Sequence, residues 1–298
     1  MTLLPFFGCR HNRPAGFSRI VLAGGTLALL SACLLSAPVV FSQVLQGPHI
    51  LDLMVEMLSG DRSLRVHQAV WVVEGDGEAH ETHYAETLNY LFPGRFRSDA
   101  RHERTERILV SDHSRSVTVV DGTIDSEREN QFDAYKDLLM HQSRNSIARN
   151  LIKWGVSLGV TSLGLWDENV VYVIGAEYPD ESTSQVWVDK ERFLPLRWII
   201  RQANPAEDGS YQQIEFIYRE WRPQGETWYP MRVDTHLNGR LIRQSRVGQI
   251  EVNAAVPADL FDLDRLIAIS NPARSPLPEA RKDETRHSVD DFKIKSQP

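Results

Sequence analysis

The two histidines of the HETH segment, His80 and His83, are the residues of this chain closest to a metal-site pattern. Zinc-binding helices place two histidines four residues apart, so that both rings lie on one face. Here they are three apart in a segment that predicts a strand, where such residues point to opposite faces. Asp76 and Glu78 precede them, so a loop metal site is the alternative to a solvated hairpin end. We favour the hairpin end and expect no metal ion and no cofactor.

Other patterns of catalytic residues are missing from the sequence. It contains no nucleophile elbow, phosphate-binding loop or dinucleotide-binding fingerprint. The run RHERTER at 101–107 mixes charge signs, which predicts a solvated strand face rather than an anion site. The formal net charge of −7 argues against a nucleic-acid partner. The sequence therefore predicts that the protein is not an enzyme.

Residues 1–42 predict an export signal. Arg10, Arg13 and Arg19 precede an apolar run from 20 to 41, and small residues and a proline interrupt that run near its end. One interpretation is cleavage after Ser42. A second is lipidation of Cys33, which follows a Leu-Ser-Ala box, and a third is an uncleaved membrane anchor. All three place the domain in the periplasm, free or attached to a membrane.

The positions of the cysteines exclude two further kinds of site from the predicted domain. Cys9 and Cys33 are the two cysteines, and both lie within the predicted signal. The domain that follows has no disulfide framework and no cysteine-ligated zinc. Residues 43–270 predict one domain, and residues 271–298, with four prolines among charges, predict a disordered tail.

The periodicity of the domain predicts one helix at its start and then mainly strands. His49–Leu58 repeats apolar residues at helical spacing. A second helical stretch carries Phe132 to Trp154. Eleven strands are predicted, over residues 63–74, 82–92, 95–100, 107–111, 116–120, 170–176, 184–189, 194–201, 211–221, 227–237 and 240–252.

The connections between these strands indicate the fold class. Asn238-Gly239 is the strongest hairpin signal, since a two-residue type I′ turn needs positive φ at both positions. Strands that do not alternate with helices favour an antiparallel sheet over a parallel one. A sheet of this width must curl. We therefore predict an α+β fold: a large curved antiparallel sheet that forms an incomplete β-barrel of about eleven strands, with helices covering its concave face.

Large aromatic residues are too numerous for a thin sheet unless helices or a ligand cover them. Either the helical segments fill the curl completely, or they leave an apolar cavity for a lipid-like ligand. The candidate cavity residues are Trp71, Tyr90, Phe92, Tyr172, Trp187, Trp198, Phe216 and Tyr218. The candidate residues of a covering lid are Phe132, Tyr135, Leu139 and Leu151.

Several segments resemble the periplasmic outer-membrane lipoprotein carriers of the LolA and LolB type. The main one starts at Leu88 and runs LNYLFPGRFRSDARHERTERILVSDHSRSVTVVDG; SLRVHQAVWVV and QVWVDKERFLPLRWII fit the same plan. The resemblance covers roughly His49 to Asp262. It implies an incomplete eleven-stranded barrel closed by helices, a cavity that holds acyl chains, and no catalytic activity.

Phe92 departs from the family pattern. In the carriers a basic residue at this position, before the proline, helps to hold the lid helices and controls uptake and release; a phenyl ring cannot make those polar contacts.

From the resemblance as a whole we predict a non-catalytic periplasmic carrier that binds lipid or an acylated protein. The alternative is a sensor or adaptor on the same fold that contacts a membrane-associated protein partner.

Overall fold

The computed structural model describes residues 44–74, 80–113, 115–140, 142–204 and 208–270. The predicted export signal with Cys33, the loop carboxylates Asp76 and Glu78, and the predicted disordered tail lie outside the described residues.

One antiparallel sheet organises the described part of the chain, and each strand except β6 pairs with the strand that follows it along the chain. Within that part the strands are β1 (Ser63–Glu74), β2 (His80–Leu91), β3 (Arg95–His102), β4 (Thr105–Asp112), β5 (Arg115–Val120), β6 (Thr123–Ser126), β7 (Thr161–Trp166), β8 (Asn169–Ile174), β9 (Gln185–Asp189), β10 (Pro195–Ala203), β11 (Tyr211–Gln224), β12 (Thr227–Leu237) and β13 (Arg240–Val252). Their order across the sheet is β6-β5-β4-β3-β2-β1-β13-β12-β11-β10-β9-β8-β7. The pairing of β1 with β13 joins the two halves, and the predicted antiparallel sheet is confirmed.

The two strands that sequence periodicity missed are the two edges of the sheet. Thirteen strands are present in the described residues, whereas about eleven were predicted, and the additional ones are β6 and β7. β6 has four residues, TIDS, too few to show alternation. β7, TSLGLW, has Gly164 in its interior, and glycine weakens a strand pattern. The described chain is therefore a mostly-β open sheet, with less helix than an α+β fold suggests.

The turn between β12 and β13 forms as its sequence predicts. Asn238 has φ 50° and Gly239 has φ 80°, so both central residues lie in the left-handed region. A two-residue turn of this kind matches the twist of the strands it joins. The turn therefore holds the register of the hairpin.

Four α-helices occur in the described residues: α1 (Gly47–Leu58), α2 (Asp137–Met140), α3 (Arg144–Lys153) and α4 (Leu263–Ile269). Short 3₁₀ helices precede α2 and α4, at Gln131–Lys136 and Ala258–Phe261. α1 begins against the backbone of Leu158, and a Cβ at Gly47 would lie 2.5 Å from the Leu158 carbonyl oxygen, so glycine is needed there. None of these helices is long and apolar enough to span a bilayer.

The segment 127–160, here called the crossing segment, connects one edge strand to the other. It leaves β6 and enters β7, and it carries the first 3₁₀ helix, α2 and α3. Because β6 and β7 lie at opposite edges, the chain between them has to cross the sheet. The face that it covers, together with α1, is called the inner face below.

The inner face carries the main apolar core. Along β1 the residues at every second position are buried, as alternation requires. The helices contribute Ile50, Leu51, Met54, Leu58, Leu138, Leu139, Ile147 and Leu151, and the strands contribute Leu64, Val66, Leu88, Phe96, Leu109, Val186, Ile200, Ile214 and Val233, among others. Helices and sheet therefore share one continuous core.

The outer face is covered only in places. Phe261, Leu263 and Leu266 of the C-terminal helical segment pack with Val110, Val117 and Val119 of β4 and β5. Near the other edge, the second outer cluster is formed by Val171, Val173, Ala176 and Trp187, with Trp166 and Leu196 against it. The outer face thus has its own small cores, separate from the inner one.

Candidate functional site

Six of the eight candidate cavity residues lie in or against the inner core: Tyr90, Phe92, Tyr172, Trp198, Phe216 and Tyr218. The four candidate lid residues, Phe132, Tyr135, Leu139 and Leu151, belong to the crossing segment and pack against the same core. The structure therefore brings ten of the twelve residues together between the sheet and its cover.

Trp71 and Trp187 lie on the outer face instead. Val186 and Val188 belong to the inner core, so Trp187 between them points the other way. Its ring lies 4.7 Å from the guanidinium carbon of Arg197. Trp71 alternates in the same manner along β1 and contacts His83, at 5.6 Å between ring centroids. Periodicity places both tryptophans in strands but does not say which face is covered.

The centre of the inner core is an aromatic group that joins the cover to the sheet. Tyr135 lies 6.3 Å from Phe216, and Phe216 lies 5.8 Å from Trp198, between ring centroids. The hydroxyl of Tyr218 donates to the backbone oxygen of Tyr135 at 2.8 Å. The Nε1 of Trp198 is buried and has no hydrogen-bond partner among the described residues. The group is apolar apart from these few polar atoms.

Four charged side chains form what we call the inner ion cluster: Glu86 of β2, Arg107 of β4, Asp133 of the first 3₁₀ helix and Arg243 of β13. Arg107 Nη2 lies 2.5 Å from Asp133 Oδ2, and Arg243 Nη1 lies 3.4 Å from Asp133 Oδ1. Arg243 Nη2 is 3.0 Å from Glu86 Oε2. Two carboxylates and two guanidinium groups balance, so the cluster is neutral overall.

Further donors and a ring complete this cluster. Gln68 Nε2 donates to Glu86 at 2.6 Å, and Ser98 Oγ donates to the other oxygen at 2.5 Å. The guanidinium of Arg243 stacks over Tyr135 at 5.2 Å. Burial lowers the pKa of Arg243, but the neighbouring Glu86, Tyr135 and Asp133 raise that pKa by more, so the side chain stays charged. The charges are thus held where water is largely excluded.

A second group of charges, the lid ion cluster, stabilises the crossing segment itself. Lys136 is fully buried and bonds Glu129 and Asp137, and Lys153 of α3 also bonds Glu129. Burial raises the pKa of Glu129, but the two lysines lower it by more, to about 2. The Nε1 of Trp154 donates to Asp137 at 3.3 Å. These contacts tie the 3₁₀ helix, α2 and α3 into one unit.

A cavity of about 40 Å³ lies beside the inner ion cluster. Its apolar wall is formed by Val70, Val72, Tyr84, Ala100 and Phe132, and its polar wall by Glu86, Arg107, Asn130, Asp133 and Arg243. This volume suits a few water molecules, whereas ligand pockets usually measure about 300–1,000 Å³. The cavity is therefore too small, in the described conformation, for an acyl chain.

Arg107 is the main correction to the predicted solvated face at 101–107. Arg101 is indeed exposed and pairs with the half-buried Glu106 at 2.7 Å. Arg107, however, is 5% exposed, because it is on the inner face opposite Ala100. The sequence pattern did not predict the burial of Arg107, because its partner Asp133 belongs to the crossing segment and not to a neighbouring strand.

Phe92 has the apolar role that its type predicts. Its ring stacks on Tyr90, with 5.8 Å between centroids and an interplanar angle of 20°. The charged contacts between the sheet and the cover that the structure shows are those of Arg107 and Arg243 with Asp133.

Across the described part of the chain, no group of three or more His, Cys, Asp or Glu residues is placed to hold a metal ion. His83 is well exposed and lies 3.6 Å from Glu81. The site is therefore an apolar interior with charged groups at its margin.

No protein-family model and no curated protein matches the sequence. Solved structures do match. A LolA superfamily protein from Nitrosomonas europaea superposes with a TM-score of 0.50 and 13% identity, over 74% of this chain and 100% of the other. A domain described as an outer-membrane lipoprotein-sorting protein, from Vibrio parahaemolyticus, gives a TM-score of 0.49 and 11% identity, over 74% of this chain and 97% of the other. At this level of identity the likeness concerns the fold. The chain therefore has a LolA-like fold, and the predicted resemblance is confirmed in its structure.

Proposed function

We propose that this protein is an exported, non-catalytic carrier that binds the acyl chains of a lipid or lipoprotein between its inner face and the crossing segment. In this proposal the sheet curves around the ligand as an incomplete barrel, and the protein works in the periplasm. The cargo is a lipid or an acylated protein.

One observation carries the proposal. The apolar inner face, with Trp198 and Phe216 at its centre, is covered by short helices that attach mainly through side chains. In the described part of the crossing segment there is helix and no strand, so the cover is not part of the sheet's hydrogen-bond ladder. A cover of this kind can separate from the sheet without breaking strand pairs. Its separation exposes a continuous apolar surface suited to acyl chains.

Separate polar attachments between the cover and the sheet support a cover that opens as a unit. Asp133 bonds the arginines of β4 and β13, Gln131 accepts from Gln212 at 3.3 Å, and the Met140 oxygen accepts from the Gly94 amide at 3.2 Å. The lid ion cluster meanwhile holds the cover together internally. Among the described residues, no comparable structural feature favours the sensor or adaptor function.

Fluorescence quenching by a brominated fatty acid tests the location of the acyl chain. Bromine quenches indole on contact, and Trp198 is buried at the centre of the inner core. We expect the fatty acid to quench the tryptophan fluorescence of the wild-type protein. Among single tryptophan variants, Trp198→Phe is expected to show the largest loss of this quenching. Trp187→Phe is the matched control, because Trp187 is equally buried but on the outer face. Equal quenching in the two variants would place the chain outside the inner core and contradict the proposal.

A further inference from the structure

We propose that Arg107 and Arg243 form a binding site for the anionic head of an amphiphile, and that Asp133 occupies this site in the closed protein. The inference rests on the proposed function, because it names the class of lipid that the interior takes. The ligand is an acyl chain that ends in a carboxylate or a phosphate group.

The geometry around Asp133 is that of an anion held by two arginines. Its two carboxylate oxygens face different guanidinium groups, at 2.5 Å from Arg107 and 3.4 Å from Arg243. Charge-assisted contacts of this kind are the usual means by which proteins bind carboxylates and phosphates. The two arginines come from strands of the sheet, whereas Asp133 comes from the cover. Opening of the cover therefore removes the anion and leaves the two cations in place.

Charge balance favours a replacement anion. With Asp133 in place the inner ion cluster is neutral, because Glu86 balances the second arginine. Without Asp133, Glu86 and the two arginines carry one net positive charge, which favours an anion in the place of Asp133. A carboxylate or a singly charged phosphate restores the balance.

The position of this pair relative to the apolar core fits an amphiphile. Arg243 lies over one side of the inner aromatic group, 5.2 Å from the ring of Tyr135, and Tyr135 contacts Phe216. The cavity beside the two arginines is lined by Phe132, which also packs against the inner core. A head group bound to the arginines thus has its chain directed along residues that are already apolar.

Calorimetric titration with matched C12 amphiphiles tests the inference. Dodecanoate and dodecyl phosphate carry an anionic head, and 1-dodecanol has the same chain with a neutral head. Asp133→Asn removes the internal competitor with little change of shape, so we expect both anionic amphiphiles to bind about tenfold more tightly than to wild type. The affinity for 1-dodecanol is expected to stay within about twofold.

Two further variants separate this effect from loosening of the cover. Asp137→Asn removes another buried carboxylate of the crossing segment, one that bonds Lys136 instead of the arginines, and so loosens the cover without changing the charge beside the arginines. Any change of affinity in this variant is therefore expected to be the same for the anionic amphiphiles and for 1-dodecanol. In the double variant Asp133→Asn with Arg107→Gln both partners of the buried pair are neutral, which spares the fold, and the anionic gain is expected to disappear. Two results would overturn the inference. One is equal tightening of anionic and neutral ligands in Asp133→Asn, and the other is the same selective gain in affinity for the anionic amphiphiles in Asp137→Asn.

The remaining outcomes distinguish the two proposals. If wild type binds all three amphiphiles and Asp133→Asn shows no preference for the anionic ones, the proposed function stands and this inference fails. If no amphiphile binds to any variant, the proposed function fails and the inference with it.

Inorganic phosphate at millimolar concentration is expected to leave dodecanoate binding unchanged. Competition by inorganic phosphate would assign the arginines to a small free anion and would also overturn the inference.

Discussion

Arg107 Nη2 and Asp133 Oδ2 form an ion pair at 2.5 Å, and both side chains are about 95% buried. This pair connects the cover of the inner face to the sheet. A buried pair of this kind is costly to form and more costly to break on one side. The pair stabilises one arrangement of the cover. The apolar surfaces of the cover and the sheet that meet around the pair are not joined by strand pairing. The pair thus stabilises the closed arrangement of the cover.

The inner ion cluster is expected to contribute strongly to folding. Glu86→Gln keeps the size of the side chain but leaves Arg243 without a buried counter-charge beyond the shared Asp133. We expect the free energy of unfolding to fall by about 3 kcal/mol. Urea unfolding followed by tryptophan fluorescence measures this loss.

Glu251→Gln is the matched control for that experiment. Glu251 pairs with Arg65 at 3.2 Å on a partly exposed surface, where ion pairs contribute about 1 kcal/mol or less. A loss in Glu86→Gln no larger than in Glu251→Gln would contradict a structural role for the inner ion cluster.

The lid ion cluster predicts a defined dependence on acid. The pKa of Glu129 is lowered from 4.5 to about 2, so the unfolded chain binds this proton before the folded one does. Its contribution to stability is complete above pH 4.5 and is lost as the pH falls toward 2. We expect the wild type to lose up to roughly 3 kcal/mol more than Glu129→Gln across this range.

The measurement is urea unfolding of both proteins at a series of pH values from 5 to 2. Asp264→Asn is a control, because a hydrogen bond from Arg115 also lowers the pKa of Asp264 but the pair is exposed, so a smaller change is expected. Parallel pH profiles for wild type and Glu129→Gln would show that Lys136 and Lys153 do not stabilise the Glu129 carboxylate.

The outer core is expected to affect stability without affecting the ligand. Phe261 is 3% exposed and packs on the outer face with Val117. Truncation to alanine leaves a cavity, so Phe261→Ala is expected to lower the free energy of unfolding by about 3 kcal/mol. Binding of dodecanoate at a temperature where the variant is fully folded is expected to match wild type.

Leu139→Ala is the counterpart on the inner side. Leu139 is similarly buried, at 5%, but belongs to the cover. We expect it to change the affinity for dodecanoate several-fold while costing about 2–3 kcal/mol of stability. If the two variants altered affinity alike, binding would not depend on the inner face.

Much of the fold could be predicted from the sequence, because the central strands are long and alternate regularly. The edge strands β6 and β7 could not, since one is short and polar and the other contains Gly164. The helix α4 was also missed: it has only seven residues, and its apolar side is needed only where it meets β4 and β5.

The candidate site was predicted in its apolar part and missed in its charged part. Aromatic residues such as Phe216 are recognisable by type and spacing, whereas the face of Trp187 depends on which side the helices cover. Glu86 and Arg243 are 157 residues apart and meet only because β1 pairs with both β2 and β13. A contact of that kind depends on the topology of the whole sheet and leaves no local pattern.

Native and denaturing mass spectrometry of one sample tests the central claim most directly. The chain is expressed in a host with native membranes and purified without detergent. The carrier proposal predicts a lipid-sized adduct under native conditions that denaturation releases, with an acyl chain in its fragmentation spectrum. A protein that is empty as purified, and still empty after incubation with phospholipid and with an acylated peptide, would contradict it.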